Sequence, residues 1–166
     1  IVASGPNSAK PHHMASHRKI AVGDLVTIDF GAHDRGFNSD TTRTFVIGEA
    51  DEFSREIYEV VKTAQLAGCE AAVPGAKIID VDRACRSIIE DAGYGDYFVH
   101  GTGHGVGLDL HEAPFCGKTS TGVLEEYMTL TIEPGIYVPG KGGVRIEDTL
   151  IITSGQAQNL TTPYLS

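Results

Sequence analysis

The sequence predicts an α+β fold, with two antiparallel hairpins forming a sheet and a pair of amphipathic helices covering one side of it. Three observations carry this prediction. Leu25–Phe30 and Phe37–Ile47 are β-branched runs on either side of a turn-rich stretch from Gly31 to Gly36. The same arrangement recurs where Met128–Glu133 with Ile136–Val138, and then Val144–Thr153, flank Pro139–Gly143. Between the two hairpins, apolar residues repeat at helical spacing over residues 51–73 and again over 79–92.

Taken in order, Ile1–Ala3 reads as a short strand with no cap or lead-in before it. A loop carrying His12, His13 and His17 follows. Ala21–Asp24 turns into the first hairpin. If that hairpin turns about Asp34–Arg35, Asp29 and Asp40 oppose each other with Cβ atoms about 5 Å apart. Like charges directly opposed are destabilising unless a cation lies between them. Two solvated aspartates on an exposed face would be the ordinary explanation. The apolar company of Asp29 argues against it, because an unpaired buried carboxylate is costly.

In the first helix Phe53, Ile57, Val60, Val61, Ala64 and Ala71 share one face, and Pro74-Gly75 ends it. In the second, Val81, Ala84, Cys85, Ile88 and Ile89 form the apolar face, and Gly93 lies just past the end. Cys69 and Cys85 fall on these apolar faces as core filler. Residues 118–126 read as loop. A second hairpin centred on Gly140 sets Glu133 opposite Glu147. Arg145 shares the face of Glu147, and Asp148 takes the other face, pointing outward or capping.

Between the helices and the second hairpin lies His100–Pro114, with histidines at 100, 104 and 111 and glycines at 101, 103, 105 and 107. Glycine this dense marks close backbone approach or turns. Histidine this dense marks metal or proton chemistry. The glycines never give the G-x-G-x-x-G spacing of a dinucleotide loop, and His111-Glu112 is followed by Ala-Pro-Phe, not the second histidine of a zinc helix. A solvent-facing Gly-rich loop is the bland alternative for any one of these histidines. Leu108 and Leu110 are expected to hold His111 in place.

The chain has 166 residues, enough for one domain with its own core. A net charge of -9 argues against a nucleic-acid surface, and no apolar run approaches the roughly 18 residues of a membrane span. There is no signal-peptide pattern. Three scattered cysteines with no C-x-x-C point to free thiols in a reducing cytoplasm.

Two hairpins each presenting a facing acidic pair, with a histidine-rich segment between them, predict a site for two cations. Four carboxylates cannot share a pocket near neutral pH without cationic compensation. Oxygen-rich ligation with one imidazole favours manganese foremost, with cobalt, iron or zinc as alternatives. Carboxylates can bridge two such ions about 3.5–4 Å apart, and water held there becomes hydroxide near neutral pH. The expected reaction is hydrolysis of an amide or ester.

Ile-Asp-Phe-Gly, Ser-Asp-Thr-Thr-Arg-Thr, His-Gly-Thr-Gly-His-Gly-Val-Gly, Ile-Glu-Pro-Gly and Val-Arg-Ile-Glu-Asp occur in that order. In combination they resemble the pita-bread metallopeptidases, a family that includes prolidase, aminopeptidase P, methionine aminopeptidase and creatinase. Leu-Asp-Leu-His-Glu-Ala-Pro and Gly-Gly-Val-Arg-Ile-Glu-Asp look most like the proline-specific branch of Xaa-Pro dipeptidases and aminopeptidases. The resemblance implies a curved antiparallel sheet with helices on its outer face. It also implies an exopeptidase that cleaves the bond before proline by a hydroxide held on two metals.

Residue by residue, the resemblance implies that Asp29 chelates one metal, that Asp40 and Glu147 bridge both, and that His104 and Glu133 complete the other. Glu133 would also carry the proton of the attacking water. His111 would contact the scissile amide and His12 the proline end, neither holding metal. His100 and Arg145 would orient ligands or touch substrate, while His13, His17 and His33 default to surface. The implied partner is a proline-containing peptide, and the implied full-length protein is a homodimer. Members of the family carry an N-terminal domain, and two helices precede the strand matching Ile1. The chain therefore reads as residues 1–166 of a catalytic domain, incomplete on its N-terminal side and without a second domain. A methionine aminopeptidase or creatinase-like C–N hydrolase on the same site is the alternative enzyme. A catalytically silent pita-bread binding module is the alternative from another class.

Overall fold

The computed structural model describes residues 1–161. The first half of the chain carries β1 (Val2–Ser4), β2 (Leu25–Phe30), β3 (His33–Asp34), β4 (Phe37–Asn38) and β5 (Thr41–Val46). Two helices follow, α1 (Glu52–Ala71) and α2 (Ile78–Asp91). Next come β6 (Gly103–Gly105), β7 (Glu112–Cys116), β8 (Thr129–Ile132) and β9 (Gly135–Val138). The chain closes with β10 (Gly142–Arg145), β11 (Asp148–Ile152) and β12 (Ala157–Asn159). All strand pairs among the described residues are antiparallel. The ladders run β1–β2–β5, β8–β11–β12, β9–β10, β3–β4 and β6–β7.

The first hairpin differs from the expected register by two residues. Asp29 opposes Thr42, not Asp40, and Phe30 opposes Thr41. The reason lies at the tip. Arg35 and Gly36 take positive φ of 50° and 89°, the geometry a two-residue hairpin turn requires, so the turn falls one residue later than Asp34–Arg35. A displacement of two preserves the face of every side chain, whereas a displacement of one would reverse it. Asp29 and Asp40 therefore still point the same way.

The second hairpin has the expected register. Val138 opposes Gly142 across Gly140, which sits at φ 80°, and Ile132 opposes Asp148. The ladder is interrupted between these two stretches, at Glu133-Pro134 on one strand and Ile146-Glu147 on the other. Proline has no N–H to give to a ladder. At the interruption Glu133 N–H donates to the Thr102 carbonyl at 2.7 Å, and Glu147 N–H donates to the Thr42 carbonyl at 3.1 Å. The break thus ties the second hairpin to the chain entering β6 on one side and to β5 on the other.

The histidine/glycine segment forms a hairpin of its own, β6 against β7, with a register irregularity at His104/Gly105. No strand was expected there. β6 presses onto β8: a Cβ on Gly103 would lie 1.7 Å from the Thr131 carbonyl oxygen, so only glycine fits. His104 N–H donates to Thr131 Oγ1 at 2.9 Å.

The helices pack against the face of the sheet away from these carboxylates. Asp51 caps α1 by accepting from Ser54 N–H at 2.7 Å. Ile57, Val61 and Ala64 of α1 and Val81, Cys85 and Ile89 of α2 join Leu130, Ile132, Ile136, Val144, Leu150 and Ile152 in one core. Gly68 lets the helices meet, since a Cβ there would lie 2.3 Å from Cys85 Sγ. Cys85 is buried as expected, whereas Cys69 is half-buried. Asp148 corrects the expectation of an outward or capping residue. It is buried on the helix side, where it accepts from Arg43 at 2.6 Å and from Gln65 at 2.9 Å.

Candidate metal centre

Asp29, Asp40, His104, Glu133 and Glu147 come from five separate stretches and converge on one cavity of about 420 Å³. His12, His100, His111 and Arg145 line it too, so every residue singled out from the sequence is present. Three groups within it have ligand atoms that all lie within 4.8 Å of one another: Asp29–Asp40–Glu147, His104–Glu133–Glu147 and Asp40–His104–His111. Asp40, His104 and Glu147 each belong to two of these groups. His111 falls closer to the candidate ligands than its expected role needs, its ring centroid lying 4.2 Å from that of His104.

Glu147 provides the test of fit. Its side chain is buried; Oε2 accepts from Thr42 Oγ1 at 2.6 Å, while Oε1 has no partner among the described residues. A buried acceptor left unpaired is costly and calls for a donor or a cation. Burial, then the charges of Glu133 and Asp40, push the Glu147 carboxyl well above its usual range. Burial, then Asp29 and Glu133, push Asp40 up to about 6. Burial also works against the charge on Glu133. A hydrogen bond from His104, with the charges of His100, His104 and Arg145, outweighs it and holds Glu133 below its usual range. Carboxylates crowded until two of them resist ionising, around an unpaired buried oxygen, fit divalent cations.

His104 Nε2 lies 3.2 Å from Glu133 Oε1 and 3.7 Å from Asp40 Oδ2. Burial opposes its protonation, but these carboxylates and the Gly105 carbonyl raise it above the ordinary imidazole. His104 Nδ1 is 2.9 Å from the Gly105 carbonyl, a contact that leaves Nε2 facing the carboxylates. His111 is exposed, and burial followed by the charge of His104 lowers its pKa, so it is mostly neutral near pH 7.

Arg145 is buried and reaches Asp29 Oδ2 at 2.7 Å, Tyr137 Oη at 3.0 Å and Thr42 Oγ1 at 3.2 Å. Tyr137 Oη also meets His100 Nε2 at 2.7 Å. Tyr137 therefore joins two residues that sequence reasoning placed at the site without connecting them. A hydroxyl-bearing side chain in an apolar strand, four residues after Glu133, was the available signal. Gly135 makes room for it, because a Cβ there would lie 2.5 Å from that hydroxyl.

Two further contacts were not foreseen. Asp82 and Arg86 of α2, expected as scaffold, form a buried ion pair with bonds of 2.8 and 2.9 Å. Asp82 also accepts from Thr102 Oγ1 at 2.8 Å, and Arg86 donates to the His100 carbonyl at 2.8 Å, so the pair grips the chain entering β6. Leu108 and Leu110 do not anchor the His111 loop as expected, being 70% and 44% exposed. The loop is held instead through Asn38.

A profile of metallopeptidase family M24 matches residues 1–154. The chain is 53% identical over 161 residues to a Xaa-Pro dipeptidase of Pyrococcus furiosus, covering 97% of this chain and 46% of that one. The solved prolidase from Pyrococcus furiosus superposes with a TM-score of 0.95 at 53% identity, covering 97% of this chain and 48% of that chain. An X-Pro aminopeptidase from Thermotoga maritima superposes with a TM-score of 0.94 at 38% identity, covering 97% and 46%. The chain thus spans about half the length of the curated relatives it matches. The fold is the expected pita-bread fold. A metallopeptidase family implies divalent metal ions, and the cluster above is where this chain can hold them. No helix among the described residues is long and apolar enough to cross a membrane.

Proposed function

The chain belongs to metallopeptidase family M24, and on that premise we propose that residues 1–166 form the catalytic domain of an exopeptidase that hydrolyses the peptide bond before proline. The observation that carries the reading is the convergence of five ligand-type side chains on one cavity, in which Glu147 Oε1 is buried and has no partner among the described residues. Asp29 would hold one divalent ion, His104 and Glu133 the other, and Asp40 and Glu147 both. The oxygen-rich donor set with a single imidazole favours Mn²⁺ over softer ions. When bound, such ions supply Lewis acidity and make water a nucleophile near neutral pH.

The chain's own residues then do the following work. Glu133, kept ionised by His104 and Arg145, takes a proton from the attacking water and returns it to the proline nitrogen as the peptide bond breaks. His111, mostly neutral, offers an N–H to the carbonyl oxygen as it gains charge. His12 lines the cavity on the side proposed for the proline ring. Arg145 fixes the orientation of Asp29, and Tyr137 links Arg145 to His100. Proline specificity is a pocket problem: its nitrogen carries no N–H and its ring fixes φ, so a site that grips an extended backbone rejects it. Three free cysteines support a reducing cytoplasm as the compartment.

A panel of Xaa-Pro dipeptides and Xaa-Pro-Yaa peptides, run on the intact protein with added Mn²⁺ and paired with metal analysis, tests the reading. We expect cleavage before proline, about two ions per chain and a clear preference between the two peptide lengths. Cleavage after an N-terminal methionine with no cleavage before proline would overturn the specificity. Absence of bound metal together with absence of hydrolysis would leave a binding module.

A further inference from the structure

We propose that Asn38, at the tip of the first hairpin, is a positioning residue that sets the loop carrying His111. The proposal rests on the role assigned above to His111. Asn38 lies in β4, outside the candidate ligands, and reaches across the cavity mouth to a segment about 70 residues away. Its backbone N–H donates to the Gly107 carbonyl at 2.8 Å. Its Nδ2 donates to the Gly107 carbonyl at 3.1 Å and to the Leu108 carbonyl at 2.9 Å. Its Oδ1 meets His33 Nδ1 at 3.0 Å, which fixes the amide so that its donating end faces the loop. Thus His33, which sequence reasoning left on the surface without a role, orients the residue that holds the loop.

The loop has little else to hold it against the body of the protein. Leu108 is largely exposed, and Leu110 is only partly covered at the cavity rim. Within the loop, Gly107 N–H donates to the Asp109 carbonyl at 3.0 Å, and Asp109 N–H donates to Glu112 Oε2 at 3.0 Å. These keep the shape of residues 107–112 but do not say where that shape sits. The β6–β7 ladder closes the base of the segment by pairing Gly105 with Glu112, and Thr129 holds Val106, so residues 107–111 project from that base. Asn38 ties the projecting part down at Gly107 and Leu108. His111 then rests beside His104 and over the cavity instead of swinging with the exposed loop. A misplacement of about 1 Å at a reacting group can cost a large rate factor, so a bond that never touches substrate can set kcat.

The test is a double-mutant cycle in the intact enzyme with Asn38→Asp, His111→Ala and the combination. It measures kcat and KM on a Xaa-Pro substrate, metal content, and amide hydrogen exchange over residues 107–111. The carboxylate introduced by N38D would keep the shape of the side chain but have no N–H for the two carbonyls. In the His111 background, N38D should lower kcat about tenfold, with a smaller change in KM, unchanged metal content and faster exchange over 107–111. In the H111A background, N38D should change kcat by less than about twofold, because Asn38 acts through the imidazole. N38A serves the same cycle should N38D fold poorly. Multiplying losses in the double variant would overturn the proposal, as would a normal kcat or unchanged exchange in N38D. An H111A enzyme of full activity would instead remove the role assigned to His111. In that case exchange over 107–111 still decides whether Asn38 holds the loop.

Discussion

Replacing Asp40 by Asn should stabilise the protein without metal and destabilise it with metal. Asp40 is 8% exposed and faces Asp29, Glu133 and Glu147. Burial, then these neighbours, raise its carboxyl from 3.8 to about 6. At about 1.4 kcal/mol per unit, that corresponds to about 3 kcal/mol between the folded and unfolded chains. The folded chain holds this proton more tightly than the unfolded one. Its stabilising effect is therefore complete below about 3.8 and is lost as the pH rises through about 6. The carboxamide of D40N cannot ionise and loses nothing over that window. In chelator-treated protein near neutral pH, D40N should thus be more stable than the parent by up to about 3 kcal/mol. For a chain of this length the melting temperature should rise by about 6–12 °C. The gap should close toward about pH 4, where the parent carboxyl is protonated as well. With saturating Mn²⁺ the order should reverse, because the variant has lost a ligand and with it metal that stabilises the native state by mass action. Calorimetry on both proteins, at two pH values with and without metal, covers all four conditions. A D40N protein that is less stable than the parent without metal near neutral pH, or a gap that does not change with pH, would refute the reasoning.

Two other substitutions probe the supports of the site. Arg86→Ala should cost about 3–5 kcal/mol in chemical denaturation, because it strands the buried Asp82 carboxylate and frees the Phe98 and His100 carbonyls. A cost below about 1 kcal/mol would mean that water reaches Asp82. Gly103→Ala should force β6 off β8, since its Cβ would overlap the Thr131 carbonyl oxygen, and metal affinity should fall with stability as His104 moves. Unchanged metal affinity in a folded G103A protein would show that β6 does not set the position of His104.

The parts of this molecule that could be read from sequence are those set by local backbone chemistry. Gly140 in its glycine-rich turn fixed the second hairpin, so the facing of Glu133 and Glu147 followed by counting. In the first hairpin the turn could have fallen at Asp34–Arg35 or at Arg35-Gly36. The need for positive φ, which Gly36 meets without strain, decided it for the second. The face of Asp29 and Asp40 survived because a two-residue displacement keeps parity. Contacts between distant segments left no local trace. Asp82 and Arg86 have the spacing of an ordinary solvated helix pair, and only the docking of α2 against residues 98–102 buries them. Asn38 is one polar residue at a hairpin tip until Gly107 and Leu108 arrive. The anchoring role expected of Leu108 and Leu110 failed because apolar character does not by itself imply burial at a cavity rim.

The bond between Glu147 N–H and the Thr42 carbonyl joins the first and second hairpins across about 105 residues. On a ribosome adding about 5–20 residues per second, residue 147 emerges about 5–20 s after residue 42. Throughout that interval the nascent chain carries Asp29 and Asp40 with neither Glu147 to complete their cluster nor Arg145 to compensate Asp29. On the proposed reading, a translation product that stops short of residue 147 lacks Glu147, so tight metal loading would have to wait until at least that much of the chain has been made.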